Sequence, residues 1–183
     1  MLNTTVDQIV SMFQQRGNSR YGGENVSQLQ HALQAATFAE QTNVKPALIA
    51  AALLHDIGHL LHDLPEDAPD HGIDDAHENL AAAWLRDRFP DEVVEPVRLH
   101  VTAKRYLCTT DPNYLKHLSP PSIQSLQLQG GLMNSDEQTL FENSPFFQSS
   151  ILLRRWDEAA KDPNLQTPPL SHFVPYLEMT AKS

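Results

Sequence analysis

Seven apolar residues in a row, Leu48-Ile49-Ala50-Ala51-Ala52-Leu53-Leu54, run directly into His55-Asp56-Ile57-Gly58-His59. Nothing else in the chain narrows its fold so much. The run is rich in Ala and Leu, and Pro46 suits a first helical turn, so the spacing predicts a buried helix over about 46–61. On such a helix His55 and His59 share one face, one turn and ~6 Å apart, with Asp56 beside them. Neutral imidazole and carboxylate are ligands for a borderline or hard metal, with no thiolate needed. A capping histidine with a solvated aspartate would leave the same trace, so the weight falls on partners elsewhere.

The flanking patterns are helical too. Val6, Ile9, Val10 and Phe13 form an i, i+3, i+4, i+7 stripe that stops at Gly17, predicting a helix over 4–16. Residues 17–26 read as a loop, and Ser27 as the N-cap of a helix over 28–42 with His31, Ala35 and Phe38 on one face. Residues 62–74 read as an exposed acidic loop. Asp74 or Asp75 is expected to cap a helix over 76–88 carrying His77. A helix over 91–107 carries His100 and Lys104 one turn apart, with Pro96 distorting its start. Asp111-Pro112 and Ser119-Pro120 each open a short helix, and the second presents Ser122, Ser125 and Gln129 as a polar stripe. Alone, that stripe reads as a solvated face. Ser135 to Gln138 reads as a capping box. Ser144-Pro145 is expected to open a helix through Asp157, and residues 173–179 to form a weak one. With no alternating strand pattern and no repeat, the 183 residues read as one all-α helical bundle, a single domain over 1–183.

The formal net charge of −10, with no more than two basic residues in succession, argues against nucleic acid or an anionic membrane as partner. Cys108 is the only cysteine, which leaves no disulfide framework and no cysteine zinc site. The N-terminus lacks a basic and apolar leader pattern and no stretch approaches a membrane span, so a cytoplasmic location is expected.

The inward polar candidates are His31, His55, Asp56, His59, His77, His100, Lys104 and Asp157. Each alone has an ordinary explanation: a satisfied core histidine, a first-turn surface residue, an Asp157 paired with Arg154 or Arg155. Burying all of them without a shared partner would cost ~1–3 kcal/mol for each unsatisfied neutral group and more for charges. A metal centre satisfies the set at once.

A histidine, an adjacent His-Asp on a buried helix, and a distant aspartate on a late helix resemble the HD-domain superfamily; here they are His31, His55-Asp56 and Asp157. Further motifs sharpen the likeness: Tyr21-x-x-Glu24, Leu53 to His59, His100-x-x-Ala103-Lys104-Arg105-Tyr106-Leu107, Tyr114-Leu115-Lys116, Gln129-Gly130-Gly131 and Arg155-Trp156-Asp157-Glu158. Together they are similar to the PhnZ-like branch of mixed-valent di-iron oxygenases, which cleave phosphonates. The resemblance implies one iron on His31, His55, Asp56 and Asp157, and a second on Asp56, His77 and His100, as an Fe(II)/Fe(III) pair. It implies that His59, Lys104, Ser122, Ser125 and Gln129 surround the phosphonate, that Tyr21 covers the first iron, and that Glu24 faces the amino end. The reaction implied uses O2 to cleave the C–P bond of (R)-1-hydroxy-2-(trimethylammonio)ethylphosphonate, giving glycine betaine and phosphate. The primary amine, giving glycine, is the alternative substrate. A metal-dependent phosphohydrolase is the alternative reaction, and a non-catalytic regulatory module is a third reading. The small-molecule substrate implies a partner enzyme that hydroxylates its precursor in the same pathway.

Overall fold

The computed structural model describes residues 4–62 and 76–182. They form eleven α-helices: α1 (Thr4–Arg16), α2 (Gln28–Gln41), α3 (Pro46–Leu54), α4 (Gly58–Leu61), α5 (His77–Leu85), α6 (Asp91–Thr110), α7 (Pro112–His117), α8 (Pro120–Leu128), α9 (Ser135–Glu142), α10 (Phe147–Ala159) and α11 (Leu170–Thr180). Among the described residues there is no strand, only an isolated extended bridge between Arg20 and Ser27. The all-α expectation holds.

Helix α3 is the centre because it has no polar face to offer water. Leu48 through Leu54 are all buried, and α2, α6, α10 and α11 pack around them. Each fully buried Leu or Ile contributes ~1.5–3 kcal/mol. The same core takes Ile9 and Phe13 from α1, Phe89 after α5, and Phe173 and Leu177 from α11. No described helix is long and apolar enough to cross a membrane.

The structure corrects several boundaries. The expected helix over 46–61 is two helices: α3 stops at Leu54 and α4 starts at Gly58. Between them Ile57 N–H donates to Leu54 O, and His59 N–H to Asp56 O, both three residues back. His55 Nδ1 meanwhile bonds to Ala52 O at 2.8 Å. The break therefore falls on the His-Asp pair, where side chains take over backbone partners. The cap position of α5 is Ala76, in the left-handed region with φ 47°, not an aspartate; Asp74 and Asp75 lie outside the described residues, as does the expected loop after His62. Helix α6 runs unbroken through Pro96 to Thr110, three residues past expectation. The capping box near 135 is set one residue earlier, with Asn134 and Glu137 exchanging bonds. Helix α10 opens at Phe147 rather than at Ser144-Pro145. The last helix is longer than expected, Leu170–Thr180 with Pro175 inside. Ser27 with Gln30, Asp111 and Ser119 cap as expected.

Candidate metal centre

Five elements converge at the break after α3. Helix α2 brings His31, the break brings His55 and Asp56, α5 brings His77, α6 brings His100 and α10 brings Asp157. All six are buried. They form two groups that share Asp56. Its Oδ2 lies 3.4 Å from His31 Nε2 and 3.3 Å from His55 Nε2. Its Oδ1 lies 3.2 Å from His77 Nε2 and 3.4 Å from His100 Nε2. Asp157 Oδ1 joins the first group, 3.4 Å from His31 Nε2 and 3.8 Å from His55 Nε2.

The ring orientations are set from outside. His31 Nδ1 bonds to Ala160 O at 2.8 Å, His55 Nδ1 to Ala52 O at 2.8 Å, and His100 Nδ1 to Val97 O at 2.6 Å. A carbonyl only accepts, so each Nδ1 carries a proton and each Nε2 is turned inward. Those nitrogens then meet in pairs: His31 and His55 at 3.0 Å, His77 and His100 at 3.1 Å. Two imidazole nitrogens so close need a positive charge between them, a proton on one of them or a metal ion held by both. Asp56 Oδ1 is enclosed and, among the described residues, has no hydrogen-bond partner. A buried carboxylate oxygen in that state calls for a metal or a proton.

Electrostatics point the same way. Burial opposes charge on His55, but the carboxylates of Asp56 and Asp157 outweigh it and push its pKa up to about 10. Burial also opposes charge on Asp56 and Asp157. His55 holds Asp56 well below the usual carboxylate range, and Arg154 does the same for Asp157. Two ionised carboxylates among imidazoles demand positive charge. His31, His55, Asp56 and Asp157 each present a ligand atom within 4.8 Å of the others, and so do Asp56, His59 and His77. The residues fit a binuclear metal centre of nitrogen and oxygen ligands.

The expected surrounding residues are also gathered here. Tyr21 stacks on His31 with centroids 3.7 Å apart, and its hydroxyl donates to Asp157 Oδ1 at 3.4 Å. Burial, then Asp157 and Asp56, keep that phenol protonated. His59 stacks on His77 at 4.1 Å and is only partly buried. Lys104 Nζ donates to Ser125 Oγ at 2.6 Å and to Gln129 Oε1 at 3.0 Å, so the α8 stripe faces inward, not to solvent. Ser122 belongs to a neighbouring network instead: Lys161 Nζ donates to its Oγ at 2.7 Å. Glu24 accepts from Ser119 Oγ and lies 3.4 Å from Lys161 Nζ.

That network holds Lys161, which the sequence reading did not single out, and Arg154, which it named only as an ordinary partner for Asp157. Arg154, 4% exposed, donates to Asp157 and Glu158 and, through Nε, to Tyr114 Oη at 2.6 Å. Asp157 thus pairs with Arg154 and faces the cluster together, while Arg155 turns outward to Asp111 at 3.5 Å. The spacing Arg154-x-x-Asp157-Glu158-x-x-Lys161, all i+3 or i+4 steps, was the available signal.

Comparison with known proteins adds three findings. The family model described as HD domain matches residues 29–128. The chain is 42% identical over 173 residues to a [1-hydroxy-2-(trimethylamino)ethyl]phosphonate dioxygenase (glycine-betaine-forming) of Leisingera caerulea, covering 94% of this chain and 88% of that protein. It is 44% identical over 170 residues to a hydroxymethylphosphonate dioxygenase of Gimesia maris, covering 92% of this chain and 84% of that one.

Proposed function

The chain belongs to the HD-domain family, and we propose that it is an O2-dependent dioxygenase that cleaves the C–P bond of a 1-hydroxyphosphonate. The substrate we assign is (R)-1-hydroxy-2-(trimethylammonio)ethylphosphonate, converted to glycine betaine and phosphate. Substrate plus O2 balances against glycine betaine plus dihydrogen phosphate, with no external reductant. The observation that carries the reading is the division of Asp56: one oxygen faces His31 and His55, the other His77 and His100. A carboxylate so placed would offer one oxygen to each of two metals.

In this reading His31, His55, Asp56 and Asp157 would hold one iron, and Asp56, His77 and His100 the other. The Fe(II)/Fe(III) pair, when bound, supplies one-electron redox chemistry and a Lewis-acidic seat for O2 and the hydroxyphosphonate. The protein's residues do the rest. Lys104 offers a point charge to the phosphonate, with Ser125 and Gln129 supplying further polar contacts, while Ser122 faces the substrate from the Lys161 side. His59, partly exposed beside His77, contributes a further polar contact. Tyr21, a neutral phenol against His31 and Asp157, screens the first metal from water until substrate enters. Glu24, on the same loop, lies toward the amino end. The whole chain, 1–183, works as one HD domain, a reading supported by a core that runs from Val6 to Leu177. The enzyme is cytoplasmic and acts after an enzyme that hydroxylates C1.

The test is to assay iron-loaded protein aerobically with the trimethylammonio, primary-amine and hydroxymethyl substrates, following phosphate release and oxygen uptake. We expect two irons per chain, a mixed-valence EPR signal and one phosphate per O2. Hydrolysis of a phosphoester by Mn- or Zn-loaded protein, without oxygen uptake, would overturn the proposal in favour of a phosphohydrolase.

A further inference from the structure

Two ammonium groups grip the polar face of α8, and only Lys104 has been used so far. The other is Lys161, just beyond the end of α10, with its side chain 12% exposed. Its Nζ donates to Ser122 Oγ at 2.7 Å and to Glu158 Oε1 at 2.8 Å, and reaches Ser119 Oγ at 3.4 Å. It also lies 3.4 Å from Glu24 Oε1. Ser125 Oγ donates to Ser122 O at 3.2 Å, so the two lysines border one continuous polar surface. Glu158 is shared between Lys161 and Arg154. Glu24 is tied to the covering loop, since its N–H donates to Tyr21 O at 2.7 Å. Among the described residues, Lys161 is therefore an internal counter-cation of two carboxylates, Glu24 and Glu158, that flank this surface outside the His/Asp cluster.

We propose that Lys161 is a specificity-determining residue that weighs hydroxyphosphonates with a cationic end against those with an uncharged end. The proposal rests on the hydroxyphosphonate reading above. A quaternary ammonium has no N–H to donate, so the site recognises it by charge and contact alone. The carboxylates able to supply that charge already face Lys161. A cationic substrate end must share them with a like charge or displace it, and like charges set side by side are a common means of rejection. An uncharged end meets a closed ion pair and loses nothing. The charge of Lys161 thus lowers the preference for the cationic substrate below what Glu24 and Glu158 would otherwise give. Displacing it also frees Glu24, and with it the loop that lays Tyr21 over His31.

The experiment compares wild type, Lys161→Gln and Lys161→Arg as iron-loaded enzymes. Phosphate release gives kcat/KM for 1-hydroxy-2-(trimethylammonio)ethylphosphonate and for hydroxymethylphosphonate, and anaerobic titration gives Kd for both. Loss of the charge should raise the trimethylammonio-to-hydroxymethyl ratio about tenfold, mostly through KM and Kd, whereas Lys161→Arg stays within about twofold of wild type. Lys161→Ala carries the same expectation should the glutamine variant not fold. A ratio that is unchanged or lowered, in a variant with wild-type iron content and Tm, overturns the proposal. Wild-type enzyme that releases phosphate from neither compound overturns the reading of function itself, and this inference with it.

Discussion

Lys104 is 3% exposed, and its ammonium donates to the uncharged groups of Ser125 and Gln129. Burial, then the nearby Arg154 guanidinium, pushes its pKa down to about 7. The unfolded chain binds this proton up to ~10.4, so between pH 7 and that value the unfolded state holds more protons. Stability attributable to Lys104 therefore rises with pH across this window, and the cost of the buried charge is fullest below pH 7. Lys104→Met should be at least as stable as wild type at pH 7 by thermal melting, with its advantage shrinking toward pH 9–10. Phosphate release should fall by at least about a hundredfold, because a charge-assisted contact to a doubly charged group is lost. A variant less stable than wild type at pH 7 would show that the ammonium is well solvated. Lys104 was legible in the sequence because it sits one turn from His100 on an apolar helix. Arg154 was legible only as a partner for Asp157, and Lys161 not at all, because long basic side chains in and after a late helix read equally well as solvated, and only the fold shows what they reach.

Among the elements, the join between α3 and α4 does most to shape the site. Gly58 lies there against the first residue of α5: a Cβ at Gly58 would fall 2.1 Å from His77 O. That neighbour is backbone and cannot rotate away. Gly58→Ala must therefore push α5 outward and carry His77 off Asp56. We expect bound metal to drop from two equivalents toward one, measured by elemental analysis, with helical content unchanged by circular dichroism. Retention of both metals would mean that α5 yields elsewhere. The apolar run was enough to place α3 at the core, and the caps at Ser27, Asp111 and Ser119 were readable from short-range chemistry. The interruption after Leu54 was not, since Ala and Leu propensity favours continuing and only the imidazole bond to Ala52 O and the contact with α5 oppose it. The shift of the capping box to Asn134 has a similar source: Asn-x-x-Glu and Ser-x-x-Gln overlap by one residue, and both satisfy the local rule.

At the scale of the molecule, the tail closes the core that the buried His/Asp cluster stands on. Phe173 and Leu177 are fully buried against α3, so α11 shields the same helix whose end presents His55 and Asp56. Phe173→Ala should destabilise the protein by ~3–5 kcal/mol. Urea unfolding would show this as a lower midpoint with an unchanged slope. A loss below about 1 kcal/mol would mean that the tail is only loosely docked. The sequence left this element weak because Pro175 and two flanking prolines mask its periodicity, whereas tertiary burial sustains it. The anchors of His31, His55 and His100 have a consequence over evolutionary time. Ala160, Ala52 and Val97 hold these rings through main-chain carbonyls, and no codon encodes a carbonyl oxygen. Point mutation can exchange the side chains at those positions without deleting the acceptors. A lineage can thus let the rest of the site drift, while the ring settings that turn Nε2 of three imidazoles inward are inherited with the backbone path itself.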